Sequence, residues 1–377
     1  MKKIGITGQS GFVGNHLYNT LHISKGFELV PFDKSFFEKE EELENFVSTC
    51  DVIVHLAAMN RHEDANVIYN TNVSLVKNLI DACIRTGCKP HILFSSSLQE
   101  SRDNLYGKSK KEGKEAFRDW AERHQTKFTS INIPNVFGPF GKPNYNSVVA
   151  TFCYKIAREE TPKIINDGEV GLVYVNYLVS KIIGAINGDE ATEKLGNYSE
   201  ELVVPPQYFK KVSEILSILT RFKSDYMEKG IFPNLDESFE KDLFNTFRCY
   251  IPTDHYPVKF TKHTDARGSF VEIARTQTSG QFSFSTTVPG ITRGNHYHTR
   301  KAERFAVIQG KARIQLRKIG TDQVINYELD GDEPAYVDMP IWYTHNIKNI
   351  GDTELITLFW INEPFDPNDA DTYFENV

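Results

Sequence analysis

The sequence holds no apolar run long enough for a secretory leader or a membrane-crossing helix, which takes about 20 consecutive apolar residues. Cysteine is scarce and unpatterned: Cys50, Cys83, Cys88, Cys153 and Cys249 make five, with no CxxC pair. That argues against a disulfide framework or a cysteine zinc site and fits reduced core thiols. Basic charge is not in excess. The formal charge is -7, so the footprint of a nucleic-acid binder is missing. No internal repeat or low-complexity segment occurs. These absences set the expectation of a cytoplasmic globular protein with no nucleic-acid or membrane partner. A hydrophobic content of 40% and a charged content of 25% suit such a protein. Its 377 residues exceed what one hydrophobic core usually serves, so two domains are expected.

The first part alternates strand and helix patterns. Lys3–Thr7, Glu28–Phe32, Asp51–Ala57 and Pro90–Ser95 read as strands. Gly11–Thr20 and Asn72–Thr86 read as helices, the second with Val73, Val76, Leu79, Ile80 and Cys83 on one face. Such alternation builds a parallel sheet covered on both faces. The stretch Tyr208–Phe247 reads as helical and as the close of this domain. From Val258 on, short alternating segments punctuated by Gly, Asp and Pro predict an antiparallel β-sandwich or barrel: Ser269–Ala274, Gln281–Val288, Arg304–Gln309, Lys311–Lys318, Ala335–Asp338 and Leu355–Phe359. Pro252, Asp254 and Pro257 mark the linker. The expected domains are 1–248 and 252–377.

Gly8, Gly11 and Gly14 fall at a strand-to-helix turn. The first permits a tight turn, the second lets backbone approach a pyrophosphate at the positive helix end, and the third lets the helix pack on the sheet. Ser10, Phe12 and Val13 share that turn and are expected to border the cofactor. Asp33, about 20 residues on, is placed to bond an adenosine ribose, while Lys34 could meet a 2′-phosphate, so NAD and NADP both stay open. Asp51 and the run His55-Leu56-Ala57-Ala58 are expected where the adenine and the cofactor bridge would lie.

Tyr106 and Lys110 are four apart and would share one helix face. A lysine there is expected to lower the phenol pKa, and the phenol could then pass a proton to a carbonyl oxygen while a nicotinamide delivers hydride. Near the other end, His296, His298, Glu303 and His345 have metal-ligand spacing. Three imidazoles and a carboxylate suit Zn, Fe, Mn or Ni. An open coordination position would make a zinc site catalytic, and a closed one structural.

The glycine turn, His55-Leu56-Ala57-Ala58, Asn72, Ser95-Ser96-Ser97, Tyr106/Lys110, Ile133-Pro134-Asn135-Val136-Phe137-Gly138-Pro139 and Val173-Tyr174-Val175-Asn176 resemble the extended short-chain dehydrogenase/reductase family that acts on nucleotide sugars. The resemblance implies a Rossmann-type α/β fold. It implies Ser97 as the catalytic serine beside Tyr106 and Lys110, with Ser96 the alternative, and Asn72 among the cofactor-binding residues. Only residues 98–105 separate Ser97 from Tyr106, shorter than is common there, so a substrate-facing loop must be trimmed. The histidine runs resemble the cupin (jelly-roll) motifs, with Trp342 where the second motif commonly has glycine, a change expected to narrow the pocket. Asp265–Glu272 and Arg293–Tyr297 also resemble metal-free cupins that epimerise 4-keto sugar nucleotides, where the histidine after Arg-Gly-x is the base. His296 thus has two readings, ligand or base. If it is a ligand, His263, Glu272, Lys301 and Tyr343 are the remaining candidates for the base.

Together the two parts resemble bifunctional capsule-sugar enzymes over essentially the whole chain. That resemblance implies a UDP-linked 2-acetamido-2,6-dideoxy-4-hexulose, inverted at C3 by the cupin and reduced at C4 with NADPH. It also implies one divalent metal, zinc, and a homodimer. The alternative is a reductase whose cupin only binds metal and dimerises.

Overall fold

The computed structural model describes residues 1–101, 103–260, 263–265, 268–270, 275–276, 281–363 and 367–377; the side chains of 99 and of 263–283 fall outside that description. Packing divides the chain into two compact units, Met1–Val148 with Asn166–Val212, and Val149–Ile165 with Ser213–Val377. Among the described residues, no helix is long and apolar enough to cross a membrane.

The elements run β1 (Lys2–Thr7), α1 (Phe12–Ile23), β2 (Phe27–Val30), α2 (Glu40–Thr49), β3 (Val52–His55), α3 (Ala65–Thr86), β4 (His91–Ser97), α4 (Leu105–His124), β5 (Phe128–Ile133), β6 (Asn135–Phe137), α5 (Val148–Ile156), β7 (Glu169–Tyr174), α6 (Val175–Asn187), β8 (Glu193–Lys194), β9 (Ser199–Val203) and β10 (Tyr208–Lys211). Seven strands form one sheet in the order β2-β1-β3-β4-β5-β9-β8, parallel except for β8. β3 is buried at every residue, which is why Val52, Ile53 and Val54 follow one another without a polar break. One face packs Ile4, Ile6 and Val54 on Leu17, Leu178 and Ile182 of α1 and α6. The other packs Ile53 and Phe94 on Phe46, Leu79 and Phe117 of α2, α3 and α4. The helices therefore wind on both sides, as the strand–helix alternation predicts. α3 begins earlier than its apolar periodicity, because Asp64 accepts from the Asn66 backbone N–H at 2.8 Å and caps the helix.

The chain reverses direction across the sheet at β1, whose neighbours are β2 on one side and β3 on the other. Loops leaving β1 and β3 diverge there and leave a crevice at the C-terminal edge, where doubly wound sheets bind ligands.

In the second unit, α7 (Val212–Phe222) runs into a π-helical turn, Lys223–Glu228, and α8 spans Ser238–Arg248. These helices, read from sequence as closing the first domain, pack within the second unit. The Phe232 ring lies 4.3 Å from that of Trp360, and Arg248 Nη1 donates to the Met339 carbonyl at 3.3 Å. The following β-region forms two five-stranded antiparallel sheets. One orders Val258–Lys259, Ala335–Met339, Glu303–Gln309, Leu355–Ile361 and Gln281–Thr287; the other orders Val324–Asp330, Lys311–Lys318, Tyr343–Asn349, Thr292–Tyr297 and Tyr373–Phe374. Val307, Ile314, Leu316, Val337 and Ile347 fill the layer between them, the core of a β-sandwich.

Candidate active site and metal centre

The glycine turn joins β1 to α1 at the crevice. Gly8 has φ +75, and a Cβ there would lie 2.8 Å from the Ala57 nitrogen; on Gly14 it would lie 2.1 Å from the Gly8 oxygen. Turn, helix and β3 loop can close only because both lack one. Gly11 is the exposed N-cap and offers no side chain to the first helical turn. The N–H groups there, flanked by exposed Ser10 and half-buried Phe12 and Val13, are the orphan donors that a pyrophosphate would meet. Gln9 Nε2 bridges to the Phe32 carbonyl at 2.7 Å.

Asp33 lies beyond β2 rather than at its end. Its carboxylate accepts from the Ser35 N–H at 2.8 Å and caps a short 3-10 turn, and hydrogen bonds from Ser35 hold it below the usual carboxylate range. Lys34 beside it is exposed. Asp51 is not brought to this edge. β3 starts after it, and Asp51 Oδ2 accepts from the Lys3 N–H at 2.8 Å at the opposite edge of the sheet. With about 3.3 Å per residue, the four-residue strand puts it about 13 Å away. Leu56, Ala57 and Ala58 do reach the crevice. The Leu56 and Ala57 nitrogens lie 3.1 Å from the Thr7 carbonyl oxygen and 3.4 Å from Thr7 Oγ1.

Asn72, expected to touch cofactor, is buried with both ends of its amide engaged. Oδ1 accepts from the Met59 N–H at 2.7 Å; Nδ2 donates to the Met59 carbonyl and to Ser109 Oγ, each at 3.1 Å. Ser109 Oγ in turn donates to the Tyr106 carbonyl at 2.7 Å. Asn72 thereby ties the β3 loop to the first turn of α4.

Tyr106 sits on that turn, which Asn104 caps by accepting from the Gly107 N–H at 2.7 Å, and Lys110 lies one turn further on. Lys110 Nζ donates to the Ser95 carbonyl at 2.8 Å and lies 5.9 Å from the centre of the Tyr106 ring. The expected lowering of the phenol is not found. Burial, and then Tyr145, push Tyr106 up to about 12. Burial pulls the Lys110 ammonium down to about 8, with Glu100 opposing. Desolvation is the leading cause of both shifts. Strand alternation puts Ser97 on the face of Ser95, while Ser96 points into the other layer, where its buried Oγ meets no protein partner.

The four residues His296, His298, Glu303 and His345 converge, their ligand atoms all within 4.8 Å of one another. They do not simply alternate along a strand. Gly294 and Asn295 take positive φ in a bulge that re-aims His296, which opposes His345 in register. His298 follows the end of that strand, and Glu303 starts a strand of the other sheet. Nε2 of His298 and of His345 lie 2.9 and 3.2 Å from Glu303 Oε2, but none of these three buried atoms finds a partner at hydrogen-bonding geometry. Buried ligand-type atoms that converge without a well-aligned partner fit a cation. Nδ1 of His298 meets the Asp371 carbonyl and Nδ1 of His345 the Tyr343 carbonyl, which leaves both Nε2 atoms to coordinate. Burial, then His345, pulls His296 down to about 4.

Trp342 takes φ +61, the conformation suited to the glycine it replaces. Its ring stacks on Tyr297 at 5.6 Å, and Tyr297 points away from the His296 side. The tryptophan therefore fills the layer behind the ligand strand and does not narrow the pocket. Among the candidate bases, the His263 side chain and Glu272 lie outside the described residues. Lys301 is buried with Nζ donating to the Ala370 carbonyl at 2.7 Å, and Tyr343 is half-buried with its phenol raised by burial.

Thr7 belongs to the glycine-turn motif, but its own part, with Oγ1 2.7 Å from His55 Nδ1, was not assigned from sequence, and Asp371 was missed entirely. Asp371 carries no local signal.

A model of the NAD dependent epimerase/dehydratase family matches residues 4–194, and one of the polysaccharide biosynthesis C-terminal domain matches residues 263–373. The UDP-2-acetamido-2,6-beta-L-arabino-hexul-4-ose reductase of Pseudomonas aeruginosa is 35% identical over 372 residues, covering 98% of each chain. The capsular polysaccharide assembling protein CapF from Staphylococcus aureus is 39% identical with a TM-score of 0.62, and the match covers all of both chains. RMD from Pseudomonas aeruginosa, solved with NADPH, shares the fold at 20% identity and a TM-score of 0.52 over 59% of this chain and 83% of its own. The chain thus belongs to the NAD dependent epimerase/dehydratase family, in the branch that joins this fold to a polysaccharide biosynthesis C-terminal domain and includes CapF.

Proposed function

We propose that the chain performs two consecutive steps on a UDP-linked 2-acetamido-2,6-dideoxy-4-hexulose. The β-region inverts C3; the first unit then reduces the C4 ketone with NADPH. The product is UDP-2-acetamido-2,6-dideoxy-talose, a precursor of UDP-N-acetyl-L-fucosamine for surface polysaccharide. The observation that carries this reading is the presence on one chain of a half-buried Tyr106 one helical turn from a buried Lys110, of an uncapped glycine turn and of a four-ligand cluster. The full-length likeness to a hexulose reductase and to CapF supports it.

The order follows from acidity. A C4 ketone makes the C3 proton removable, so inversion must come before reduction. A base of the β-region takes that proton and the opposite face receives one back. NADPH, when bound, supplies a hydride to the ketone carbon. Tyr106 gives its phenolic proton to the C4 oxygen, the Ser97 hydroxyl holds that oxygen, and the Lys110 ammonium stabilises the phenolate left behind. His296, His298, Glu303 and His345 would hold a divalent metal such as zinc, which supplies either Lewis-acid polarisation of an oxygen or a clamp on the fold.

The test is incubation with a UDP-4-keto-6-deoxy-N-acetylhexosamine and NADPH, with product NMR. In heavy water without NADPH, deuterium should enter at C3, and Tyr106→Phe should abolish NADPH oxidation. No reduced sugar would sink the reductase, and no deuterium uptake the epimerase. The four-ligand set itself favours a second reading, a reductase with a structural metal in a closed site. Reduction with no C3 exchange would select it.

A further inference from the structure

The segment Asp369–Val377 contains none of the four ligands, yet it grips the site from two sides. Asp371, only 5% exposed and held at φ +42, places its carboxylate against the turn between His298 and Glu303. It accepts from the Thr299 N–H at 3.1 Å, Thr299 Oγ1 at 2.6 Å, the Arg300 N–H at 3.0 Å and the Lys301 N–H at 3.1 Å. Its own carbonyl takes the Nδ1 side of His298. One residue therefore fixes both the ring of one ligand and the backbone leading to the next. Arg300 Nη2 holds the Asp369 carboxylate at 2.6 Å, so the segment is anchored before it reaches the site. Beyond Asp371, Tyr373 and Phe374 pair with Tyr297 and His296, and the rings of Tyr373 and Tyr297 stack at 5.4 Å. The Glu375 N–H donates to the Asn295 carbonyl at 3.0 Å, at the bulge that aims His296.

We infer that Asp371 is a positioning residue of the metal centre, and that the 369–377 segment sets its metal affinity by locking His298 and the 299–301 turn. A liganding imidazole whose other nitrogen is fixed loses less freedom on coordination, and removing such partners costs about 10–100-fold in affinity. The inference rests on the metal reading of the β-region proposed above.

The test compares wild type, Asp371→Ala and Asp371→Asn as full chains. Zinc affinity is measured by competition with a chelator, and the visible absorption of the cobalt-substituted protein reports ligand geometry. Asp371→Ala should bind zinc about 10–100-fold more weakly and alter the cobalt spectrum. NADPH affinity should be unchanged. Asp371→Asn keeps an acceptor for the turn but loses the charge, and should fall between the two. Zinc affinity within twofold of wild type with an unchanged cobalt spectrum, in folded Asp371→Ala, overturns the inference. If that variant does not fold, the same null result in Asp371→Asn overturns it. Wild type that takes up neither zinc nor cobalt defeats the metal reading itself.

Discussion

Tyr106 and Lys110 stand one helical turn apart, and burial tunes them in opposite directions. The phenol, raised to about 12, keeps its proton across any working pH. The ammonium, lowered to about 8, does not. If its charge steadies the developing phenolate, kcat/KM for ketone reduction should be flat below pH 8 and fall about tenfold per unit above it. A profile flat to pH 10 would remove Lys110 from that role. The sign for stability is the reverse. Unfolded lysine titrates near 10.4 and the buried one near 8, so between those values the unfolded chain binds more protons and stability rises with pH. Lys110→Met should lack that rise in denaturant titrations. Asn72 acts at one remove, through Ser109, on the backbone of Tyr106. Asn72→Ala leaves buried donors and acceptors unpaired and should cost about 1–3 kcal/mol. It should lower kcat more than it weakens NADPH binding; the opposite split would make Asn72 a direct cofactor contact. The shared face of Tyr106 and Lys110 was legible because residues four apart lie together on a helix, whereas the bonds of Asn72 to Met59 and Ser109 were not. Asp51 was misplaced because an acidic residue next to an apolar run looks the same at either end of a strand. Asp371 was invisible because its partners lie far off in sequence, with Arg300 71 residues away.

Among the elements, the β1–α1 turn has the least slack. A Cβ on Gly14 would lie 2.1 Å from the Gly8 oxygen and 2.8 Å from Gln9 Cα, both backbone atoms. Neither can rotate away, so Gly14→Ala must displace α1. We expect NADPH affinity, read by fluorescence titration, to fall at least about tenfold, with about 1–3 kcal/mol lost in stability. Unchanged affinity would mean that the helix end does not meet the cofactor. The Trp342 turn shows the other way to treat a left-handed position. The conformation costs a non-glycine residue about 1–3 kcal/mol, offset here by stacking on Tyr297 and by the bond from the Trp342 N–H to the His298 carbonyl at 2.8 Å. The strands and long helices could be read from periodicity. The bulge at Gly294 and Asn295 could not, since it answers to pairing with His345 on a strand distant in sequence.

At the scale of the whole molecule, composition announced two bodies but not where to cut between them. The segment 213–248 reads as helical and so resembles the α/β half, yet its aromatic face covers Trp360 and the pair Arg304–Asp338, both 2% exposed. A fragment beginning at 252 would strip that cover. It should aggregate or melt well below one beginning at 213, as followed by circular dichroism and light scattering; equal stability would contradict the packing. The strand Glu303–Gln309 carries a further consequence. Glu303 turns inward to the three histidines, and the next residue, Arg304, turns outward and binds Asp338 through both carboxylate oxygens at 2.7 and 2.9 Å. A slip of one residue would present a guanidinium to the histidine cluster and bury a lone carboxylate under the helices. Both errors are forbidden at once, so this strand has a single admissible alignment, and insertions or deletions near it should be far rarer among relatives than substitutions.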